Sequence, residues 1–196
     1  RICHPRGKKN QVVVGDQVQW LASTDEGTIE KVEPRRNLLY RQDEIRTKSF
    51  AANLDQVLIL IAAEPEFSEM QLTRALIAAE AEHITPVIAL NKSDLTDAFA
   101  RSLARLTPYT QMGYNVLQLA LKQGHMSDLA QRLHHKTTLV LGPSGTGKST
   151  LINQLIPQAN VATGEISHAL NSGRHTTTST TCSALGPCLR RASGRR

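Results

Sequence analysis

Residues 137–150, Thr-Thr-Leu-Val-Leu-Gly-Pro-Ser-Gly-Thr-Gly-Lys-Ser-Thr, decide the fold of this chain. The apolar beginning of this stretch predicts a strand, and the residues after it predict a helix. Between them, residues 142–149 match the pattern G-x-x-x-x-G-K-[ST] of a phosphate-binding loop, or P-loop, and Thr150 follows directly. Its glycines let backbone N–H groups approach phosphate oxygens. We expect Lys148 to reach the β- and γ-phosphates and the Ser149 hydroxyl to ligate Mg²⁺.

A second motif, Asn91-Lys-Ser-Asp94, directly follows the apolar run at residues 86–90, which predicts another strand. A carboxylate at Asp94 can accept hydrogen bonds from the N1–H and the N2 amino group of guanine, whereas adenine offers neither donor there. We expect Asn91 to tie this loop to the P-loop and the Lys92 stem to lie over the base. Together the two motifs predict a site for a guanine nucleotide.

The rest of the chain divides into two parts with different patterns. Residues 11–50 contain short alternating runs separated by turns, which predict a partial β-barrel. From residue 51 on, apolar runs alternate with helical stretches, and this predicts a mainly parallel α/β sheet. One helix is predicted over residues 68–82, with Ser68 as its N-cap. The apolar positions of that helix are Met70, Leu72, Leu76 and Ile77.

The order of the two motifs indicates a circular permutation. In Ras-like proteins the P-loop comes first, whereas here Asn91 precedes Gly142 by 51 positions. This order resembles the ribosome small-subunit-dependent GTPase A (RsgA) family, and so do several strings across roughly residues 14–181. The strings are Gly15-Asp-Gln-Val-Gln-Trp, Asp25-Glu-Gly, Pro34-Arg-Arg, Ala51-Ala-Asn-Leu-Asp-Gln-Val-Leu, Pro86-Val-Ile-Ala-Leu-Asn-Lys-Ser-Asp-Leu, the P-loop and Gly173-Arg-His-Thr-Thr-Thr.

The resemblance implies a fold and a function for the whole chain. Residues 1–50 would form part of an OB-fold that contacts ribosomal RNA, and residues 51–181 an incomplete, circularly permuted P-loop GTPase domain of the α/β class. Such proteins hydrolyse GTP to GDP and phosphate with Mg²⁺ during late maturation of the small (30S) ribosomal subunit. We expect a cytoplasmic protein without a membrane partner, since no signal peptide or membrane-length apolar run occurs in the sequence. We also expect it to be a monomer.

Specific residues carry these expectations. Lys148 and Thr177 are the expected catalytic residues, and Ser149 and Thr177 the expected Mg²⁺ ligands, because Thr176-Thr177-Thr178 matches the first switch of the family. The basic residues expected to contact RNA are Lys8, Lys9, Arg35 and Arg36. The expected GTP-binding residues are Asn91, Lys92, Ser93, Asp94, Gly142, Pro143, Ser144, Gly145, Thr146, Gly147, Lys148, Ser149 and Thr150.

The sequence also departs from the family pattern. The loop at residues 119–124 keeps Lys122 but lacks the Ser of the usual S-A-K, and no D-x-x-G occurs among the 196 residues. The zinc expected in the family has no ligands here, since Cys182 and Cys188 do not match its Cys and His pattern. Residues 182–196, an Arg-rich tail, lie outside the pattern. We interpret the chain as truncated at both ends, with a frameshift or truncation after Thr181 at the carboxyl end.

Two alternatives stay open at this stage. The missing D-x-x-G and the basic amino-terminal segment with Lys8, Lys9, Arg35 and Arg36 favour a catalytically impaired nucleotide- or RNA-binding fragment, whose hydrolysis would stay at background even with small subunits. An ATP-using P-loop enzyme is the third hypothesis, and competition by ATP as strong as by GTP would support it. The three cysteines, an odd number spread along the chain, are typical of a reducing compartment rather than of a disulfide-rich secreted protein.

Overall fold

The structure, a computed structural model, divides the chain into two compact units that meet in sequence at Leu54 and Asp55. The boundary expected between residues 50 and 51 falls inside a strand, Thr47–Ala52. The described residues are 2–5, 12–22, 26–42, 47–124 and 126–157.

The first unit consists of short strands, as the alternating runs predict. The central strand of a three-stranded sheet, β3, pairs in parallel with β1 and antiparallel with β2, while β4 and β5 form an antiparallel pair. The sequence did not single out β1, β4 or β5 individually. The strands are β1 (Ile2–Pro5), β2 (Val18–Ala22), β3 (Glu26–Val32), β4 (Leu38–Gln42) and β5 (Thr47–Ala52).

The apolar run at residues 11–14 belongs to the stretch predicted to contain short strands, but its described part does not form a strand. Only Val14 makes a β-bridge, to Ala51. The reason is a turn closed by Asp16: its backbone N–H donates to the Val13 carbonyl at 3.2 Å, and its Oδ2 accepts from the Val13 N–H at 2.9 Å. A side chain that bonds to nearby backbone in this way stabilises a turn rather than a strand ladder.

Segments that are distant in sequence meet in the first unit through polar side chains. The side chain of Asn37 is buried and bonds with both backbone groups of Leu54, the Oδ1 accepting at 2.8 Å and the Nδ2 donating at 2.9 Å. Asn53 donates from Nδ2 to the Gly15 carbonyl at 2.9 Å, and its Oδ1 accepts from the Arg36 N–H at 2.8 Å. The hydrogen bonds of Asn53 therefore connect three segments, near residues 15, 35 and 53, that carry the family resemblance.

The second unit contains a four-stranded parallel sheet in the order β8-β7-β6-β9, so the predicted α/β sheet is confirmed. Helices join successive strands, as parallel pairing requires. A 3-10 turn follows β8 at Leu121–Gln123. The elements are β6 (Gln56–Ala62), α1 (Glu69–Ala81), β7 (Thr85–Asn91), α2 (Thr96–Gln111), β8 (Asn115–Gln118), α3 (Ser127–Leu133), β9 (Thr138–Leu141) and α4 (Lys148–Leu155).

Strand β6 is buried along its whole length, which explains its unbroken apolar sequence. Residues from β6, β7, α3, α4 and the segment after β8 pack together in one cluster beneath the sheet edge described below. The buried members of that cluster are Leu58, Leu60, Val87, Ala89, Leu119, Leu121, Leu129, Leu133 and Leu151.

Helix α1 confirms the predicted N-cap but only half of the predicted apolar face. The Ser68 hydroxyl accepts from the Gln71 N–H, and Leu72 and Leu76 are buried. Met70 and Ile77, however, are 64% and 63% exposed. These two residues are seven positions apart and lie on the side of the helix opposite the buried leucines, because 3.6 residues make one turn.

The sequence of residues 97–106 predicts a helix, and helix α2 runs farther than this segment. It continues through Pro108 to Gln111, since Leu106 and Tyr109 are buried on its inner face and extend the apolar contact. The Tyr109 hydroxyl lies 3.0 Å from the Thr73 hydroxyl of α1. Among the described residues, the helices are too short or too polar for any of them to traverse a bilayer.

Candidate nucleotide-binding site

The two sequence motifs meet at one edge of the parallel sheet. Asn91 ends β7, and the P-loop at residues 142–147 follows β9 and leads into α4. A third segment, residues 119–124 after β8, lies at the same edge; we call it the base-side loop. Because the strands are parallel, their carboxyl ends and the loops that follow them gather on one side, where open α/β sheets bind their ligands.

The P-loop conformation depends on glycine at two points. Gly147 has φ +102°, and a Cβ on it would lie 2.6 Å from Asn91 Nδ2. A Cβ on Gly142 would lie 2.1 Å from the Leu60 carbonyl oxygen of β6. Both glycines are therefore required by packing as well as by the close approach of backbone to phosphate that the motif predicts. The buried Thr146 closes the loop, as its hydroxyl donates to the Pro143 carbonyl at 3.0 Å.

Lys148 is the first residue of α4 and lies across the P-loop. Its Nζ donates to the Gly142 carbonyl at 2.7 Å and to the Pro143 carbonyl. Partial burial lowers the pKa of this ammonium group from its usual value, because desolvation disfavours the charged form. Ser149 follows in the first helical turn, where backbone N–H groups and the helix dipole favour negative charge.

Asn91 joins the three loops. Its Nδ2 donates to the Thr146 carbonyl at 2.9 Å, and its Oδ1 accepts from the Leu121 N–H at 3.1 Å. The side chain is buried, so both bonds are sheltered from water. The predicted tie between the N-K-x-D loop and the P-loop is thus confirmed, and it extends to the base-side loop, which the sequence did not indicate.

Charged residues surround the position expected for the base. Burial and, next, the charge of Lys122 lower the pKa of Lys92, while Glu64 and Asp94 oppose this shift. The backbone of Lys92 is in the left-handed region, with φ +69°. The backbone N–H of the next residue, Ser93, donates to the Leu119 carbonyl at 3.1 Å. Asp94 is exposed and available to a ligand. The N-K-x-D loop and the base-side loop therefore lie against each other.

Sequence reasoning missed one side chain of this edge. Gln154 of α4 donates from Nε2 to the Leu121 carbonyl, so the helix that begins at Lys148 also holds the base-side loop. The burial of Leu119 and Leu121 could have been anticipated from the short apolar run that they form with Ala120 between Gln118 and Lys122. Nothing in the local sequence marks Gln154, because its partner is a backbone carbonyl 33 positions away.

Three predicted site residues, Lys8, Lys9 and Thr177, lie outside the described residues. So do the rest of the switch string, Thr176 and Thr178, and the two cysteines that do not match the zinc pattern, Cys182 and Cys188. The two described arginines expected to contact RNA bond within the first unit. Arg35 forms a salt bridge with Asp16, and Arg36 donates from Nη2 to the Asn53 carbonyl at 3.1 Å. In the described part of the chain, no three His, Cys, Asp or Glu side chains cluster as a metal site would require.

The site can be compared with known proteins. A model of the RsgA GTPase family matches residues 32–187. The small ribosomal subunit biogenesis GTPase RsgA of Variovorax paradoxus is 71% identical over 183 residues, which are 92% of this chain and 58% of that protein. The protein of the same name from Paraburkholderia xenovorans is 55% identical over 182 residues, 91% of this chain and 58% of its own. The chain therefore spans less than two thirds of the length of these relatives.

Solved structures show the same fold. YjeQ from Thermotoga maritima superposes with a TM-score of 0.62 at 29% identity, covering 79% of this chain and 56% of that one. YloQ, described as a circularly permuted GTPase, superposes with a TM-score of 0.57 at 34% identity, covering 80% and 55%. The circularly permuted fold inferred from the motif order is thereby confirmed.

Proposed function

The chain belongs to the RsgA GTPase family, and on that premise we propose that it binds GTP and hydrolyses it to GDP and phosphate during maturation of the small ribosomal subunit. The relatives' name, small ribosomal subunit biogenesis GTPase, supports this assignment. Since the chain spans 58% of their length, the reaction and the partner are our proposal for this polypeptide.

The observation that carries the proposal is the double hydrogen bond of Asn91. It holds the P-loop and the N-K-x-D loop at one sheet edge, although the two motifs are encoded in reversed order. A phosphate-binding loop and a guanine-selective carboxylate at Asp94 then face one nucleotide. An adenine nucleotide would leave that carboxylate without the two donors that guanine supplies, and this difference supports GTP over ATP.

The chemistry proposed for the site is positioning and charge stabilisation. Lys148 donates to two neutral carbonyls, and a β- or γ-phosphate would replace them with charged acceptors, which form stronger hydrogen bonds. The Ser149 hydroxyl, at the start of α4, suits Mg²⁺, a cation that prefers oxygen ligands; Thr177 is the proposed second ligand. The bound metal would neutralise charge that develops on the phosphates, and Lys148 would do the same from the protein side.

We further propose that the amino-terminal part contacts ribosomal RNA and that the protein acts in the cytoplasm as a monomer. The short-strand unit and the ribosomal role in the relatives' name support the contact with RNA. The four proposed contact residues are Lys8, Lys9, Arg35 and Arg36. The two arginines also stabilise the unit itself, so their substitution would affect folding as well as RNA affinity. The division into residues 1–50, 51–181 and 182–196 stays a prediction.

The test is binding of a fluorescent GDP analogue, competed separately by GDP, ATP and xanthosine diphosphate. GDP should displace the analogue, and ATP should not. The variant Asp94→Asn should lose GDP competition and gain competition by xanthosine diphosphate, because an amide donates to the carbonyl that replaces the guanine amino group. Equal displacement by GDP and ATP would contradict the guanine assignment. Phosphate release measured with and without small ribosomal subunits then tests hydrolysis, and a rate at background with subunits would contradict it.

A further inference from the structure

We infer that Gln154 is a positioning residue that keeps the base-side loop in register with the phosphate-binding helix, and that it thereby sets the preference for guanine. The inference rests on the proposed function. Gln154 lies in α4 and belongs to neither of the two sequence motifs.

The hydrogen bonds around one peptide carry the inference. The Leu121 carbonyl accepts from Gln154 Nε2, and the Leu121 N–H donates to Asn91 Oδ1 at 3.1 Å. Both backbone groups of one loop residue are therefore held by side chains from two other segments, α4 and the end of β7. A loop fixed on both sides by side chains cannot shift without losing a buried hydrogen bond.

Apolar packing places Gln154 opposite its partner. Leu151 lies three residues earlier on α4, is fully buried, and belongs to the same cluster as Leu119 and Leu121. Residues three apart on a helix are neighbours on its surface, so Leu151 and Gln154 form one contact strip toward the base-side loop. Lys148, six residues before Gln154, lies on this same helix. The element that begins at the phosphates therefore also contacts the loop beside the base.

The consequence is selectivity rather than general affinity. The base-side loop holds the N-K-x-D loop through the bond from the Ser93 N–H to the Leu119 carbonyl. If the Gln154 bond is lost, only Asn91 of these two side chains still holds the loop at Leu121, so the position of Asp94 relative to the base becomes less defined. The P-loop bonds of Lys148 and Thr146 do not involve Gln154 and should persist.

The experiment compares the full chain with Gln154→Glu and Gln154→Leu. Glutamate has the same shape but offers an oxygen to the Leu121 carbonyl, and leucine removes the donor without adding charge. The matched control is Gln111→Glu, an exposed glutamine at the last residue of α2, which precedes the amino-terminal end of β8, whereas the base-side loop follows its carboxyl-terminal end. Competition of a fluorescent GDP analogue by GDP, inosine diphosphate and ADP gives the preference of each variant, and circular dichroism melting gives its stability.

Both Gln154 variants should lower the GDP-over-ADP preference by about tenfold, the effect of one well-placed hydrogen bond, while ADP affinity changes little. Gln111→Glu should keep the wild-type preference. An unchanged preference in both variants would overturn the inference, and so would an equal loss of affinity for all three nucleotides, which would indicate a merely structural role. If Gln154→Glu fails to fold, Gln154→Leu decides alone. A wild-type chain without GDP preference would instead overturn the proposed function.

Discussion

Asn91 Nδ2 lies 2.9 Å from the carbonyl oxygen of Thr146, and this contact joins residues 55 positions apart at the edge of the parallel sheet. The same side chain accepts from the Leu121 N–H, so a single buried amide satisfies backbone groups of two different loops. In a circularly permuted chain the motifs reach the site from reversed positions in the sequence. A side chain that bonds to backbone on both sides can hold them together regardless of that order.

The first prediction concerns Asn91 itself. Asn91→Ala should destabilise the second unit by about 3 kcal/mol, because it leaves a buried N–H and a buried carbonyl without their partners. Nucleotide affinity should fall at least tenfold in the same variant. Urea unfolding followed by the helical circular dichroism signal measures the stability, since the α-helices of the described residues lie in the second unit. The exposed Gln111→Ala is the control, and a similar small loss in both variants would refute the structural role of Asn91.

The second prediction separates backbone strain from packing at Gly147. Gly147→Ala combines φ +102° with a Cβ 2.6 Å from Asn91 Nδ2, whereas Gly113→Ala combines φ +93° with no atom within 4 Å. Gly113→Ala should therefore cost only the strain of a left-handed alanine, about 1–2 kcal/mol. Gly147→Ala should cost about 2 kcal/mol more, because it also displaces the Asn91 amide from its hydrogen bond. The same urea titration compares the two, and equal losses would show that the contact with Asn91 contributes nothing.

The sequence predicted some parts of this molecule better than others. Residues 56–62 and 85–91 were recognisable because a strand buried on both faces is an unbroken apolar run, and the P-loop because its glycines have a fixed spacing. Helix α1 was placed correctly, but the apolar positions that identified it include the exposed Met70 and Ile77, because spacing identifies apolar positions without showing which side faces the sheet. Side-chain bonds to distant carbonyls, such as that of Gln154, leave no local pattern.

The third prediction is a pH dependence at Lys148. Burial lowers its pKa in the folded chain, below the 10.5 of an ordinary lysine, so the unfolded chain binds the proton more tightly. As pH rises through the lowered pKa toward 10.5, the folded chain loses its unfavourable charge first, and its stability rises relative to a chain without this lysine. The difference in unfolding free energy between wild type and Lys148→Met should therefore shift in favour of wild type as pH increases.

Urea unfolding at a series of pH values, without nucleotide, measures that difference. With saturating GDP the trend should reverse, because phosphate oxygens favour the charged ammonium and wild type then gains most at lower pH. A difference that stays constant over the whole range without nucleotide would show that burial of Lys148 does not shift its titration.

The last prediction concerns the first unit, where Arg35 donates to both carboxylate oxygens of Asp16, from Nε at 2.7 Å and from Nη2 at 2.9 Å. The Asp16 side chain is only 1% exposed, and the hydrogen bond with Asp16 raises the pKa of Arg35. Arg35→Met would leave a buried carboxylate without its cation and should cost about 3–5 kcal/mol. Asp16→Asn combined with Arg35→Met should recover part of this loss, because the amide carries no charge to bury.

Fluorescence of Trp20 follows this unfolding selectively, as it is the one tryptophan of the chain and packs on Gly27, where a Cβ would lie 2.6 Å from the indole ring. The control is Lys31→Met, since Lys31 is 60% exposed and its ion pair with Glu33 spans 3.6 Å. Exposed pairs contribute about 0–1 kcal/mol, so this variant should unfold close to wild type. If Arg35→Met unfolds no earlier than Lys31→Met, the salt bridge with Asp16 does not stabilise the unit, and Arg35 could contact RNA without a folding penalty.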